Sequence, residues 1–342
     1  MAQIPFFSII IPVYNGLTHD LPVCLNSIWN QSLDKELYEV ICVDDCSMDG
    51  TRLWLKEQCQ EHSNLRIVEN EINIRQGGAR NRGVEVAKGK YILFIDQDDY
   101  YHNNSISAVY NILKEGKLDV LICDSAYQLK GYPHNELQLN LSHLHLCSGI
   151  DYILHNGIPV SPWRFCINRT FYTNNNCEFM EDRRCEDADW CIRLLFYATT
   201  VQYKPILLIH HNKTGVNETD LSFKSAEGPT DYIFAGNTII EIVNTFYKKY
   251  NAKDVVIKFA ETYYYRSCVY LLTTILPISC KKTIIKDIAI KKAKNKLVYY
   301  ATKYPTLYSV LSNCIAPVFK FIAKEKQNRT INKLKKMHRN EN

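Results

Sequence analysis

The sequence predicts an α/β fold in which a doubly wound, mostly parallel sheet is flanked by helices. Two observations predict this fold. Over the first hundred residues, short aliphatic and aromatic runs alternate with longer amphipathic segments, as in proteins whose strands and helices alternate. Several of the apolar runs also end in polar or acidic residues, and open α/β sheets bind their ligands at the carboxyl ends of the strands.

The predicted elements follow one another in a regular order. Strands are predicted for the apolar runs at residues 7–11, 39–43, 65–68 and 91–95. Helices are predicted for the amphipathic segments at residues 21–29, 51–60 and 77–87. The first strand is expected to stop at Pro12.

Polar residues follow three of these strands. They are Tyr14 and Asn15 after the first strand, Asp44 and Asp45 after the second, and residues 96–99 after the fourth. Because the strand ends of a parallel sheet form one ligand-binding edge, we expect these residues to meet in a single crevice.

The strand at 91–95 runs directly into three carboxylates, which are Asp96, Asp98 and Asp99. Carboxylates this close together raise one another's pKa unless a cation lies among them. Oxygen ligands suit Mg²⁺ or Mn²⁺, which bind substrate phosphates together with one or two protein carboxylates. The sequence therefore predicts a divalent metal site, and the alternative interpretation is a solvated acidic turn.

Length and composition indicate a globular protein with a large core. The chain has 342 residues, of which 46% are hydrophobic and 23% charged, and two lobes are expected. The first residues lack the features of a signal peptide, and no apolar run is long enough to span a membrane. A cytoplasmic protein is therefore expected.

The cysteines favour a reducing compartment. There are thirteen, an odd number, and none forms a Cys-x-x-Cys pair. Cys177, Cys185 and Cys191 lack the spacing of a zinc site. Buried free thiols are therefore expected rather than disulfides.

The charge of the chain is unevenly distributed. Residues 281–342 carry sixteen Lys or Arg residues against three acids, whereas residues 1–280 carry 25 basic and 33 acidic residues. Basic amphipathic helices bind anionic membrane surfaces, so we expect a peripheral membrane contact here. The alternatives are a solvated charged face or a nucleic-acid patch, and no nucleic-acid partner is expected.

Four motifs occur in a fixed order and together resemble glycosyltransferase family 2. They are SIIIPVYN at residues 8–15, VDDCSMDGT at 43–51, ARNRG followed by AKGKY within 79–91, and DQDD at 96–99. The resemblance extends over residues 5 to 215, and four ordered motifs are far more specific than any single one.

The resemblance implies the GT-A fold and a division of the chain into regions. A glycosyltransferase domain is expected at residues 5–220, with a nucleotide-binding half at 5–100 and an acceptor half at 101–220. Residues 221–342 are expected to form a helical, basic C-terminal region. Helices are predicted there at residues 231–250, 254–276, 283–304 and 305–324.

The resemblance also implies roles for residues of the nucleotide-binding half. Tyr14 would stack against the nucleotide base, and Asp45 would accept a hydrogen bond from it, with Pro12 shaping the turn. Either Arg75 or Arg80 would approach the nucleotide. An arginine on a helix beside carboxylates can equally form a structural ion pair.

Further residues are expected around the diphosphate. Asp98 would serve the ribose and the metal, Asp99 would bind the metal directly, and Asp96 would support the loop. His210 and His211 lie at the place where this family brings side chains back towards the diphosphate. Adjacent residues of a strand point to opposite sides, so at most one of the two histidines faces the site, where it would contact the diphosphate or the metal. A structural histidine is the alternative.

The catalytic base is expected among the acids that follow Cys185. The family carries a Glu-Asp pair here, which corresponds to Glu186 and Asp187, and its second member is the base. Helix capping is the structural alternative for one of these acids. Asp189 leaves open which acid is the base, and Trp163 and Glu186 would border the sugar and acceptor site.

The expected function is that of an inverting glycosyltransferase. It would move a hexosyl or N-acetylhexosaminyl group from a nucleotide-diphosphate sugar to a glycan or lipid-linked acceptor in bacterial surface polysaccharide synthesis. A UDP-linked donor is expected. One alternative is a non-catalytic nucleotide-sugar-binding or scaffold protein of the same fold. A sugar-nucleotide-forming enzyme is another, but the Gly-rich loop with Arg and Lys expected after its first strand is not found here.

Overall fold

The computed structural model describes residues 4–129, 135–136, 145–156, 161–183 and 186–213, together with residues 238 and 241. Its described residues up to Lys213 belong to one compact unit. Apart from residues 238 and 241, the predicted C-terminal helices lie outside the described residues. The same holds for the basic segment at 281–342, so its membrane contact stays a prediction.

The described part of the chain alternates strands and helices. The strands are β1 (Phe7–Val13), β2 (Tyr38–Asp44), β3 (Leu65–Glu69), β4 (Tyr91–Phe94), β5 (Tyr100–Tyr101), β6 (Val120–Leu129), β7 (Asn135–Glu136), β8 (Phe165–Asn168) and β9 (Val201–Lys213). The α-helices are α1 (Leu21–Trp29), α2 (Thr51–Glu61), α3 (Arg75–Val86), α4 (Ser105–Leu113), α5 (Gly149–Asn156), α6 (Arg169–Asn174) and α7 (Glu186–Tyr197).

The strands form one sheet in the order β3-β2-β1-β4-β8-β6-β9-β5, and β7 pairs with β6. Strands β1 to β4 are parallel to one another, as predicted. Beyond β4 the sheet is mixed, because β8 runs antiparallel to both β4 and β6 while β6 and β9 are parallel. The predicted α/β fold is confirmed, and the residues that follow β4 add the antiparallel pairings.

The centre of the sheet is buried on both faces. Every residue of β1, β2 and β4 is buried, which is why these strands are mostly apolar on both faces rather than alternating. The predicted end of the first strand at Pro12 is wrong, since β1 continues to Val13. Pairing of β1 with β4 ends at Ile10 and Phe94, so Pro12 pairs with β2 alone, and proline is tolerated where one side of a strand is unpaired.

A buried polar cluster joins β1, β2 and β4 at the end of the sheet opposite the predicted crevice. The Ser8 hydroxyl donates a 2.7 Å hydrogen bond to Glu39 and accepts one of 2.8 Å from the Gly89 N–H. A Cβ atom at Gly89 would lie 2.4 Å from the Ser8 nitrogen, so the backbones approach too closely for a side chain. This contact fixes the register of β4 against β1. It thereby sets the position at which residues 96–99, here called the acidic loop, leave the sheet.

The thiols agree with the sequence-based expectation. All nine cysteines that the structure describes are free, and six of them are buried. Within the described ranges, none of the helices combines the length and the apolar character needed to cross a bilayer.

Candidate active site

The polar strand ends meet along one edge of the sheet, as the sequence predicts. Loops after β1, β2 and β4 lie there, and the end of β9 and the beginning of α7 approach the same acidic loop. Hydrogen bonds across the edge join residues that are 83 to 112 positions apart in sequence. The site is therefore assembled from both halves of the described fold.

Asp45 organises the loop that follows β3. It is only 3% exposed, and its Oδ1 accepts hydrogen bonds of 2.9 Å from the Asn70 side chain and from the Ile74 N–H. The Asn73 side chain donates to the Asp45 carbonyl at 3.1 Å. Three residues of the loop are thus tied to one aspartate, which fixes the position at which α3 begins.

Tyr14 lies in the exit loop of β1 and is 41% exposed. Its backbone is held by the side chain of Gln97, which accepts from the Tyr14 N–H and donates to the Tyr14 carbonyl, both at 2.9 Å. Reasoning from the sequence did not single out Gln97. Its position inside the acidic motif was the one available signal.

Arg80 is the residue that links the two acidic clusters. Its side chain is 2% exposed, and its guanidinium donates hydrogen bonds of 2.7 Å to Asp96 and to Glu186. Burial lowers the pKa of the guanidinium, but the two carboxylates raise it further, so the pKa of Arg80 lies above its usual value. The guanidinium also lies over the ring of Phe179, at 5.1 Å.

The environment of Arg80 matches the structural ion pair, which was one of its two predicted roles. The other predicted arginine, Arg75, lies at the start of α3 and pairs with exposed Asp182 at 3.1 Å. Its backbone has a φ of 64°, so the helix begins with a sharp turn beside the crevice. A nucleotide contact by either arginine stays a prediction.

Asp99 is the most deeply buried acid of the loop after β4. Its side chain is 0% exposed, and its two oxygens lie 2.8 and 3.0 Å from Nδ1 of His211. The N–H of Asn212 donates to Asp99 Oδ1 at 3.0 Å. Burial raises the pKa of Asp99, although the contact with His211 opposes the shift.

Asp98 carries the clearest sign of charge crowding. Burial, followed by the negative charges of Asp99 and Asp96, raises the pKa of Asp98 to about 7. Burial and repulsion thus destabilise the ionised form of Asp98, and a nearby cation would stabilise that form. The crowding agrees with what the sequence predicts for adjacent carboxylates without a cation among them, and metal binding itself stays a prediction.

The carboxylates of the acidic loop fit a hard divalent cation whose coordination shell is completed by phosphates of a ligand. Among the residues that the structure describes, no three His, Cys, Asp or Glu side chains group in the way a protein-only metal site requires. Mg²⁺ and Mn²⁺ do not need such a group, because they bind through one or two carboxylates plus phosphates and water. Asp98 and Asp99 would supply those carboxylates.

The two histidines of β9 point to opposite sides, as predicted. His211 faces Asp99 and stacks on Trp163, with ring centroids 5.5 Å apart. His210 faces the other way, where its Nε2 lies 2.9 Å from His102 Nδ1 and its ring stacks on Tyr100. His211 contacts the acidic loop through Asp99, and it brings Trp163 to the same place.

The three acids at the start of α7 have different environments. Glu186 is 7% exposed and bonded to Arg80, and burial raises its pKa. Asp189 is 0% exposed and accepts a 2.9 Å hydrogen bond from Arg193, and burial raises its pKa as well. Asp187 is only partly buried. Two positions along an α-helix correspond to about 200° of rotation, so Asp187 and Asp189 lie on opposite faces.

These environments distinguish Asp187 from Asp189, the two acids between which the sequence did not decide for the role of catalytic base. The carboxylate of Asp189 is enclosed with Arg193, whose guanidinium also donates to the Glu178 carbonyl at 2.6 Å. That arrangement is a structural one inside the fold. Asp187 follows Glu186 on the first turn of the helix, and it is the more accessible of the two acids.

We expect the Arg80→Met substitution to destabilise the fold strongly. It would leave two carboxylates in or near the core without their cation, and breaking a buried pair in this way costs about 3–5 kcal/mol. Urea unfolding would measure the loss. Arg82→Met is the matched control, because Arg82 lies on the same helix and its pair with Glu85 is exposed. Equal stability of the two variants would contradict the structural role of Arg80.

The chain is similar in sequence to known glycosyltransferases. Residues 8–174 match the model of the family described as Glycosyl transferase family 2. Over 117 residues, the chain is 42% identical to the poly(ribitol-phosphate) beta-glucosyltransferase of Bacillus spizizenii. That match covers 34% of this chain and 18% of the relative, so the chain spans less than a fifth of that protein's length.

Solved structures share the fold. TarS 1–349 of S. aureus in complex with UDP-GlcNAc has a TM-score of 0.70 at 20% sequence identity, over 90% of each chain. The mannosyltransferase PcManGT of Pyrobaculum calidifontis in complex with GDP-Man and Mn²⁺ has a TM-score of 0.51 at 13% identity, over 91% of this chain and 87% of that one. The predicted GT-A fold is confirmed by this likeness.

Proposed function

Since residues 8–174 place this chain in glycosyltransferase family 2, we propose that it transfers a sugar from a nucleotide-diphosphate donor to an acceptor hydroxyl. One observation carries the proposal. Arg80 joins Asp96, on the loop with the crowded acids Asp98 and Asp99, to Glu186, which directly precedes the accessible Asp187. An acidic donor site and a candidate base are thus held together by one buried cation.

The nucleotide would bind along the exits of β1 and β2. The exposed ring of Tyr14 would stack on the base, because an aromatic face accepts any base. Asp45 would accept a hydrogen bond from the base through Oδ2, since its Oδ1 is already held by Asn70 and Ile74. The TarS structure, which contains UDP-GlcNAc, supports a UDP-linked donor.

The diphosphate would lie against the acidic loop. Asp98 and Asp99 would hold Mg²⁺ or Mn²⁺, which as a Lewis acid stabilises the negative charge of the departing diphosphate. The raised pKa of Asp98 supports this assignment, as does the presence of Mn²⁺ in the PcManGT complex. His211 would orient Asp99 through its hydrogen bond and border the diphosphate.

The chemical step would be a single displacement. Asp187 would take the proton of the acceptor hydroxyl as that oxygen attacks the anomeric carbon from the face opposite the diphosphate. The sugar–phosphate bond breaks as the new bond forms, so the anomeric configuration inverts. The ion pair between Arg80 and Glu186 would keep Asp187 at the required position.

The acceptor would enter beside Trp163, whose ring lies on His211 next to the acidic loop. The relative from Bacillus spizizenii is a poly(ribitol-phosphate) glucosyltransferase, which supports a glycan or other surface polymer as the acceptor. A non-catalytic binding protein would have no use for an accessible acid at Asp187, so the enzymatic role is favoured over that alternative.

The central test is a panel of nucleotide sugars incubated with the full chain and Mn²⁺, with diphosphate release and donor binding as readouts. We expect one donor to be bound and turned over, and Asp99→Ala to lose the Mn²⁺-dependent part of donor binding. Asp34→Ala is the control, because Asp34 precedes β2 at the opposite end of the sheet. An unchanged Mn²⁺ dependence in Asp99→Ala would refute the metal assignment.

Asp187→Asn separates the base from donor binding. The amide keeps the shape of the side chain but cannot accept a proton, so kcat should fall about 100- to 10,000-fold with donor affinity preserved. Asp189→Asn is the matched variant, and it should lower stability through its contact with Arg193 while retaining turnover. The opposite pattern, with Asp189→Asn inactive and Asp187→Asn active, would identify Asp189 as the base.

The basic residues at 281–342 would bring the enzyme to the cytoplasmic face of a membrane, where lipid-linked acceptors are found. Sixteen basic residues against three acids support this, since each cation near anionic lipid contributes about 1 kcal/mol. We expect the full chain to sediment with anionic vesicles at low salt and to be released by high salt. Equal sedimentation with neutral vesicles would argue against an electrostatic membrane contact.

A further inference from the structure

Gln97 makes an unusual pair of contacts with the backbone of Tyr14. Its Oε1 accepts from the Tyr14 N–H at 2.9 Å, and its Nε2 donates to the Tyr14 carbonyl, also at 2.9 Å. One carboxamide therefore satisfies both backbone groups of one residue. Such a paired arrangement has the form of a strand ladder, with a side chain in place of the neighbouring strand.

The position of this contact explains why it is needed. Pairing between β1 and β4 ends at Ile10 and Phe94, and the last backbone bond between them is from the Ile95 N–H to the Ile10 carbonyl. Tyr14 lies four residues further along the chain, beyond the reach of that ladder. Gln97 extends the connection between the two strands to the residue that carries the exposed ring.

Gln97 is itself held by the acidic loop. Asp96, which precedes it, is bonded to the buried Arg80, and the Asp99 N–H donates to the Asp96 carbonyl at 3.0 Å. The backbone on both sides of Gln97 is thus fixed by the loop that carries Asp98. A change in the conformation of this loop would reach Tyr14 through the carboxamide.

The side of Tyr14 away from this loop is anchored separately. The Asn15 N–H donates to the Ser47 hydroxyl at 2.8 Å, and the Asn15 side chain accepts from the Met48 N–H at 2.9 Å. Asn15 has a φ of 50°, in the left-handed region. Tyr14 therefore lies between two anchors, one on the β2 exit loop and one on the acidic loop, with its ring exposed.

We propose that Gln97 is a positioning residue that orients the Tyr14 ring for the nucleobase and couples it to the acidic loop that receives the diphosphate. This inference rests on the proposed function. The base and the diphosphate belong to one ligand, so a rigid connection between their two subsites lowers the entropy lost on binding.

The chemistry of the side chain makes the inference testable. A carboxamide both donates and accepts, as Tyr14 requires. In Gln97→Glu the acceptor remains but the donor is lost, and a carboxylate then faces the Tyr14 carbonyl. In Gln97→Ala both contacts are lost. Because the contact is solvent-exposed, neither variant should lower the thermal stability appreciably.

The test measures UDP affinity in Mn²⁺ for both variants of the full chain, with GDP as the probe if the wild type binds GDP instead. We expect affinity to fall about three- to tenfold, as for one side chain that must be ordered on binding. The KM for the donor should rise by the same factor while kcat is unchanged. Affinity of the Gln97→Ala variant for pyrophosphate, which has no base, should not change.

A double-mutant cycle shows whether Gln97 acts through the ring. In a Tyr14→Ala background, Gln97→Ala should have no further effect on UDP affinity. Hydrogen exchange at the Tyr14 amide gives a readout that needs no ligand, and it should be faster in Gln97→Ala. Gln60→Ala, at an exposed glutamine of α2, is the control and should match the wild type.

Three outcomes would overturn the inference. Wild-type UDP affinity in both Gln97 variants would show that the carboxamide does not position the base, even if the proposed function holds. Additive losses in the double mutant would show that Gln97 acts independently of Tyr14. If the wild type binds no nucleotide, the proposed function fails, and a faster Tyr14 amide exchange would then identify Gln97 as a structural contact only.

Discussion

The site depends on the buried guanidinium of Arg80. A cation that is 2% exposed is stable in a protein interior only if anions surround it, and Asp96 and Glu186 fill that role at 2.7 Å each. One of these acids lies on the loop after β4, and the other begins α7. Because this one side chain must be neutralised by both acids, it fixes the position of the acidic loop relative to the start of α7.

The acidic loop is costly to the fold. Burial and repulsion from Asp99 and Asp96 raise the pKa of Asp98 to about 7. The buried carboxylate of Asp99 lies within hydrogen-bond distance of His211 and Asn212. Such strain at a strand end is typical of sites that gain stability when a ligand arrives. Arg80 holds Asp96, the first residue of the loop, at 2.7 Å, and this contact opposes a movement that would separate the acids.

The sequence predicted the parts of the fold that depend on local pattern. The strands and helices of the first hundred residues, the convergence of the strand ends and the alternation of the two histidines follow from periodicity and topology. A structural ion pair was one of the two roles predicted for Arg80. Its partners Asp96 and Glu186 and the contact of Gln97 were not predicted, because the residues that meet are 16 to 106 positions apart in sequence. The prediction that the first strand stops at Pro12 was wrong, because it depends on tertiary structure. The pairing with β4 ends at Ile10, so one side of β1 is unpaired at the proline.

The central claim is that Asp187 activates an acceptor hydroxyl for a single displacement on the sugar of a nucleotide donor. The most direct measurement is the anomeric configuration of the product, read by NMR after transfer from an α-linked nucleotide sugar. A single displacement inverts the centre, so the product should carry a β-linkage. An α-linkage in the product would contradict the account, because it would require a second displacement or a different chemical step.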